Sequence, residues 1–312
     1  MCRHLAYVGP PTTLAALLLD PPHGLLHQSY APRDMRCDAV VNADGFGAGW
    51  YPPPAVRDVA GAGAARAALG AARHGDPGTV PPADARAVLH GGPGADDPPA
   101  SAVPGPAPGP GPGPVQPARY RSDRPLWADA AFAALAPVTV GTAVLGAVRA
   151  ATVGMPVVAT AAAPFAEGPW LFSHNGVVRG WPDAVVALAA ALPVRDLVTL
   201  DAPTDAALLW ALVRARLRRG DDPGAALADV VPAVAAAAAG SRLNLLLTDG
   251  ATVWATAWTH SLWVRAGPDA VTVASEPTDG GGGWTPVPDR HLLVVAPGRC
   301  DLRPLPGTGA VA

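Results

Sequence analysis

The chain begins Met1-Cys2-Arg3-His4-Leu5, and the cysteine at position 2 is the residue from which fold and chemistry are best read. A small second residue permits removal of Met1, which leaves the Cys2 thiol beside a free α-amine. The pKa of such an amine, about 7.7 to 8.0, lies near neutrality, so the amine can take the thiol proton and later protonate a leaving group. We therefore expect a nucleophile that carries its own base. A metal site at Cys2 and His4 is a poorer interpretation, because two ligands do not close a site.

Composition narrows the kind of partner. Only 15% of the 312 residues are charged and the net charge is -3, which provides neither a basic face for nucleic acid nor an acidic tail. We expect a small-molecule partner and no nucleic acid. Because every Lys/Arg position is Arg, a single Arg is weak support for a site.

The three cysteines, Cys2, Cys37 and Cys300, are far apart and odd in number, which favours a reducing compartment over a disulfide framework. They form no zinc-type pair, so we expect no metal and no cofactor. The N-terminus does not resemble a signal peptide, and no apolar run approaches the roughly 20 residues of a membrane span. A cytoplasmic protein without membrane contact is predicted, with its oligomeric state left open.

Hydrophobic periodicity is lost between about residues 52 and 118, and Pro and Gly nearly alternate from Pro104 to Pro114. Such a stretch cannot bury enough apolar surface to offset the entropy of ordering it. We predict one domain over residues 2–312, interrupted by a disordered Pro/Gly-rich insertion at about 52–118. A plain surface insertion is favoured over a partner-binding PxxP element.

Outside that stretch, strand patterns precede and follow a group of helices. Helices are expected at 182–192, at 204–219 with Thr204-Asp205 as the cap, and at 223–239 with a kink at Pro232. This order favours a layered α+β domain over a doubly wound parallel sheet. The strand candidates are 39–51, 138–152, 170–178, 243–247, 252–264, 270–275 and 291–295.

Three further features offer chemistry, each beside a plainer interpretation. In Ser173-His174-Asn175-Gly176 the Asn side-chain amide and the Gly N–H can present two donors to an oxyanion, although Asn-Gly is also a strong hairpin signal. Arg149, at a predicted strand end, can grip a substrate carboxylate in a bidentate way or be a surface residue. Asp205 can hold a substrate ammonium or simply cap its helix.

Taken together, these segments resemble the class II glutamine amidotransferase domain, an N-terminal nucleophile hydrolase, in the order that family uses. The resemblance implies a four-layer αββα sandwich. Its closest branch is the family of ergothioneine-pathway γ-glutamyl hydrolases, which act on γ-glutamyl hercynylcysteine S-oxide. The motifs that carry it are Met1 to Leu5, Asn42 to Tyr51, Arg149 to Thr152, Ser173 to Gly176 and Thr204-Asp205, together with Asp20 to Leu26, Gln28 to Arg33, Tyr120 to Trp127 and Ser275-Glu276-Pro277.

By position, the resemblance implies that Cys2 is the nucleophile and that Asn175 and Gly176 form the oxyanion hole. Arg149 would hold the substrate α-carboxylate and Asp205 the α-ammonium. Thr152 and His174 are placed with the substrate-binding residues, and the segment Asp44 to Gly49 would pass close to the thiol.

The predicted function is cysteine-dependent hydrolysis of a γ-glutamyl amide, with release of glutamate. Two alternatives remain. One is a glutaminase subunit that delivers ammonia to a separate synthase. The other is a degenerate amidotransferase-like binding module that keeps the pocket but not the exposed thiol.

Overall fold

The computed structural model describes residues 2–34, 41–54 and 115–306. Within these ranges the chain forms thirteen strands in two antiparallel sheets, with helices outside both. The predicted insertion at 52–118 lies largely outside the described residues, and Cys37 is also outside them. The single-domain interpretation therefore stays a prediction.

The first sheet, called sheet A, has the strand order β11-β9-β10-β1-β4-β2-β3. All its pairings are antiparallel, and β1 lies between β10 and β4. Its strands are β1 (Arg3–Thr13), β2 (Phe46–Tyr51), β3 (Ala118–Ser122), β4 (Val140–Val148), β9 (Trp263–Ala266), β10 (Val271–Ala274) and β11 (Thr285–Pro286).

The second sheet, sheet B, has the order β13-β12-β8-β7-β6-β5 and is also antiparallel throughout. Its strands are β5 (Phe165–Glu167), β6 (Trp170–Val177), β7 (Arg242–Thr248), β8 (Val253–Ala257), β12 (His291–Ala296) and β13 (Arg299–Pro304). The helices are α1 (Leu14–Leu18), α2 (Leu25–Tyr30), α3 (Ala130–Leu135), α4 (Val186–Ala190), α5 (Val194–Val198), α6 (Asp205–Arg218) and α7 (Pro223–Ala237), with 3-10 turns at Leu126–Ala128, Ala159–Ala161 and Asp183–Val185.

Alternation along the strands assigns each side chain to a layer. In β1, Ala6 and Val8 belong to a core between the sheets, whereas Leu5 and Tyr7 belong to a core under α1, α2 and α3. A third core packs α6 and α7 onto the outer face of sheet B. Successive strand residues point to opposite faces, so two sheets covered on both sides give four layers. The predicted αββα architecture is confirmed.

The two long helices begin and end where the sequence indicates. Thr204 caps α6 by accepting the Ala207 N–H at 3.3 Å, and Gly220, with φ +84°, follows its last turn. Asp222 caps α7 by accepting the Ala225 N–H at 2.9 Å. A left-handed residue after the last turn and a side-chain oxygen before the first satisfy backbone groups that helix ends leave free.

Several predicted strand limits are corrected. The candidate 252–264 is two strands, because the chain turns at Thr259, whose φ is +62° and whose N–H is held by Asp289 Oδ1 at 2.6 Å. The predicted helix over 182–192 is a 3-10 turn followed by the short α4. The longest strand, β1, was not predicted as a strand.

Candidate active site

One pocket between the ends of the two sheets brings together six of the seven residues that the sequence singled out. They reach it from the residue before β1, from the loop after β4, from β6 and from the start of α6. The pocket is lined by Cys2, Ala147, Val148, Arg149, Ala150, Ala151, Thr152, Met155, Ala161, Ala163, Phe165, His174, Gly176, Thr204, Asp205 and Ala206.

Cys2 stands just before β1, with a free and partly exposed thiol. Its backbone carbonyl accepts a hydrogen bond from Arg3 Nη1 at 2.9 Å. Arg3 pairs with Val148, the last residue of the neighbouring strand β4. Because the two strands are antiparallel, Arg149, which follows Val148, lies beside Cys2. The central strand of sheet A thus delivers the thiol to the pocket wall.

Arg149 directly follows β4, as predicted, and only 8% of it is exposed. Its Nη1 donates to the Pro156 carbonyl at 2.9 Å, while Nη2 is buried and has no partner among the described residues. A buried guanidinium N–H without a partner costs free energy. Because the side chain lines the pocket, a carboxylate bound there would supply the missing acceptor.

Asp205 lines the same pocket at the first position of α6 and is 6% exposed. The Thr204 hydroxyl caps the helix, and Asp205 Oδ1 adds a hydrogen bond from the Ala206 N–H of the first turn at 2.8 Å. One of its oxygens accepts the Val178 N–H at 3.0 Å, which joins the end of β6 to the helix. The pocket thus contains one cationic and one anionic side chain.

Asn175 and Gly176 lie inside β6, opposite Asn244 and Leu243 of β7. The hairpin turn that Asn-Gly offered as the plainer interpretation does not form, because the ladder continues to Val177. Gly176 lines the pocket, and a Cβ there would overlap the carbonyl oxygen of Arg242. Only glycine fits at this point of the strand.

Asn175 is the one predicted site residue that does not line the pocket. It is fully buried and faces the space between the sheets, where its Nδ2 donates to Ser275 Oγ at 2.9 Å. Its Oδ1 has no partner within the part of the chain that the structure describes. The side chain is thus adjacent to the pocket through Gly176 but oriented by Ser275.

Two histidines lie next to this strand. His174 lines the pocket, and its Nε2 donates to the Arg242 carbonyl at 3.0 Å. His4 is fully buried, and its Nδ1 lies 3.2 Å from Ser173 Oγ. Burial, followed by the charges of His174, His260 and Arg3, holds the pKa of His4 well below its ordinary value, so His4 is neutral near pH 7.

The glycine-rich segment Asp44 to Gly49, expected close to the thiol, instead supports Arg149. The Arg149 N–H donates to the Gly45 carbonyl at 2.8 Å, and Asp44 Oδ2 accepts the Ala151 N–H at 2.7 Å. No residue of this segment lines the pocket. Its effect on the site is indirect, through the backbone of the loop after β4.

Sequence reasoning missed a buried ionic cluster on the outer side of β1. Glu276 is 3% exposed, and its carboxylate accepts hydrogen bonds from Arg3 Nε at 2.8 Å and from His23 Nε2 at 2.6 Å. The backbone N–H groups of Arg33 and Asp34 add bonds at 3.0 and 3.1 Å. Positions 3 and 276 are too distant in sequence for any local pattern to pair them.

Burial of Glu276 opposes ionisation of its carboxyl group. The hydrogen bonds from His23 and the Arg33 N–H, the charge of Arg3 and the Asp34 N–H outweigh that cost and lower the pKa of Glu276 to about 2. The carboxylate is therefore ionised throughout the neutral range.

The described residues contain no group of three or more His, Cys, Asp or Glu side chains suited to a metal ion. None of the helices in the same ranges is long and apolar enough to cross a membrane.

Solved structures with the same architecture are class II amidotransferases. A glutamine aminotransferase class-II domain protein from Silicibacter pomeroyi matches with a TM-score of 0.56 and 21% identity, covering 97% of this chain and 99% of its own. Glutamine phosphoribosylpyrophosphate amidotransferase from B. subtilis matches with a TM-score of 0.59 and 11% identity, covering 98% of this chain but 50% of its own. At these identities the likeness defines the fold, which is that of a class II glutamine amidotransferase domain.

Sequence comparison narrows this class to one family. No family model matches the chain. The gamma-glutamyl-hercynylcysteine sulfoxide hydrolase of Mycolicibacterium smegmatis is 36% identical over 306 residues, covering 98% of this chain and 100% of the relative. The protein of the same name from Mycobacterium tuberculosis H37Rv is 34% identical over 295 residues, covering 95% and 93%. The chain belongs to the gamma-glutamyl-hercynylcysteine sulfoxide hydrolase family.

Proposed function

We propose that this protein hydrolyses the γ-glutamyl amide bond of γ-glutamyl-hercynylcysteine sulfoxide, in ergothioneine biosynthesis, and releases glutamate. Full-length similarity to two hydrolases of that name supports the substrate. The observation that carries the site assignment is the meeting of Cys2, Arg149 and Asp205 around one pocket.

The pocket suits a glutamyl head with a free α-carboxylate and α-ammonium. Arg149 Nη2, buried without a partner in the described structure, would donate to the carboxylate. Asp205, which lines the same pocket, would accept from the ammonium. Opposite charges at two points fix both the position and the direction of the glutamyl chain, so its amide carbon would be presented to Cys2.

The reaction would then use the terminal residue twice. The α-amine of Cys2 takes the thiol proton, and the thiolate attacks the γ-carbonyl carbon. The Asn175 side-chain amide and the Gly176 N–H stabilise the oxyanion. The C–N bond breaks as the α-amine returns the proton to the leaving nitrogen, and water hydrolyses the γ-glutamyl thioester to glutamate and free thiol.

A groove next to the pocket is assigned to the amine half. Thr152 and Met155 line both cavities, and the groove continues past Arg179 and Trp181. A conjugate bound with its glutamyl head at Arg149 would leave the pocket by this route. Arg179→Ala is expected to raise the KM for the conjugate while leaving that for free glutamine unchanged.

The decisive experiment compares glutamate release from γ-glutamyl-hercynylcysteine sulfoxide, other γ-glutamyl amides and glutamine, with protein whose loss of Met1 is verified by intact mass. The proposal expects the sulfoxide conjugate to have the highest kcat/KM. Preference for glutamine would favour an ammonia-delivering glutaminase. A thiol that iodoacetamide does not modify, with no turnover of any substrate, would favour a binding module.

A further inference from the structure

Ser275 and Glu276 directly follow β10 and extend its pairing with β1. The Ser275 N–H donates to the His4 carbonyl at 3.0 Å, and the His4 N–H donates to Ser275 Oγ at 3.0 Å. Because neighbouring residues of an extended strand face opposite sides, the two side chains enter different layers. Ser275 faces sheet B and Glu276 faces the side of sheet A that carries α2.

On the inner side, Ser275 makes the contact that orients Asn175. The hydrogen bond from Asn175 Nδ2 to Ser275 Oγ, 2.9 Å long, crosses from sheet B to sheet A. Both residues have no exposed surface. Without this bond the Asn175 amide would lose the polar contact that the described structure gives it.

On the outer side, Glu276 reaches Cys2 through Arg3. Arg3 is fully buried and donates from Nε to Glu276 and from Nη1 to the Cys2 carbonyl, at 2.8 and 2.9 Å. The planar guanidinium holds both acceptors in one fixed geometry, which a lysine ammonium cannot do. The position of the Cys2 backbone is therefore tied to a buried carboxylate.

We propose that Ser275 and Glu276 are positioning residues for the hydrolysis, and that this dipeptide sets the separation between the nucleophile Cys2 and the oxyanion donor Asn175. The inference rests on the proposed function. Attack requires the thiolate and the donors to converge on one carbonyl, and a misplacement of about 1 Å can cost on the order of 100-fold in rate. The two groups belong to different sheets, and the dipeptide contacts both.

Neither Ser275 nor Glu276 lines the pocket, so their loss should affect turnover more than binding. We expect Ser275→Ala to lower kcat by roughly 10- to 100-fold and to change KM by less than about 3-fold. Ser275→Thr, which keeps the oxygen, should recover most of the rate. Thr272→Ala, a change of similar size on β10, is the matched control and should behave as wild type.

Epistasis identifies the residue through which Ser275 acts. If Ser275 serves Asn175, the double variant Ser275→Ala/Asn175→Ala should be no slower than Asn175→Ala alone. Multiplicative losses, or a rise in KM in place of a fall in kcat, would overturn this part of the proposal. So would a loss of rate that Ser275→Thr fails to recover.

The role of Glu276 can be tested without the substrate, through the reactivity of the Cys2 thiol. Glu276→Gln and Arg3→Lys should change the rate and pH profile of Cys2 alkylation by iodoacetamide, whereas Ser275→Ala should not. Arg3→Lys keeps a cation beside Glu276 and serves if Glu276→Gln fails to fold. Unchanged alkylation in a folded variant of either residue would overturn the assignment. If wild type is alkylated but releases no glutamate, the proposed function fails and the positioning test still stands.

Discussion

Arg3 and Arg149 are both buried, one on each side of the paired strands β1 and β4, yet the protein uses them differently. The Arg3 guanidinium donates hydrogen bonds to the Glu276 carboxylate, to the Cys2 carbonyl and to the Asp34 carbonyl. Arg149 keeps Nη2 without a partner among the described residues, on the pocket wall. A guanidinium whose donors all have acceptors fixes the geometry of its neighbours, whereas one with a donor left over can bind a ligand.

The largest expected effect removes the reactive atom and leaves both arginines in place. Cys2→Ala should show no glutamate release above background, because no thiolate remains to form the thioester. Its thermal midpoint and its affinity for glutamate should stay close to wild type, as measured by calorimetry. Residual turnover in protein free of wild-type contamination would exclude Cys2 as the nucleophile.

Asn175→Ala tests the proposed oxyanion donor, whose side chain is held by Ser275. Loss of one oxyanion donor typically costs about 2.7 to 4 kcal/mol of barrier, so kcat should fall by roughly 100- to 1000-fold. KM should change little, since an oxyanion donor acts on charge that develops only in the transition state. Steady-state kinetics of glutamate release check this, and a change confined to KM would contradict the assigned role.

Matched lysine substitutions test the comparison itself. Arg149→Lys should raise KM by about 10- to 100-fold with little loss of stability, because lysine cannot form two parallel bonds to a carboxylate. Arg3→Lys should instead lower the thermal midpoint and kcat. If both variants show the same pattern, the division into a structural and a ligand-binding arginine is wrong.

The smallest effect concerns acid stability. The pKa of Glu276 falls from an ordinary 4.5 to about 2 on folding, so its stabilisation is complete above about pH 5 and is lost as pH falls towards 2. The difference in thermal midpoint between wild type and Glu276→Gln should therefore shrink across that range. Buried neutral His4 destabilises both proteins below about pH 6.5, so its effect cancels in the difference. A constant difference from pH 6 to pH 3 would contradict the ion pair.

Local sequence signals were sufficient where local physics sets the structure. The predicted cap at Thr204 marks the start of α6 because its hydroxyl contacts a backbone N–H three residues away. The chain order of the motifs then identified the four-layer fold. The residues that line the pocket were found through their chemistry and the family resemblance, not through periodicity.

The sequence was least informative where distant residues satisfy buried polar groups. β1 carries Arg3 and His4 in a buried strand, and their partners Glu276 and Ser173 are 273 and 169 positions away. No local pattern reveals such pairs, so β1 was not recognised as a strand. Asn175-Gly176 misled for the opposite reason, because a good turn dipeptide is held straight by the facing strand β7.

The join between β2 and β3 has a practical consequence for anyone engineering this molecule. Trp50 is paired with Ala118 at the last rung of an edge hairpin, so the polypeptide leaves and re-enters the sheet at adjacent points. The entropic cost of closing a loop rises only slowly with its length. We therefore expect that a short Gly-containing turn can join β2 to β3 here, and that an inserted peptide or domain is tolerated at the same point. A tag or reporter inserted there would leave the amino terminus free, which fusion upstream of Cys2 would not.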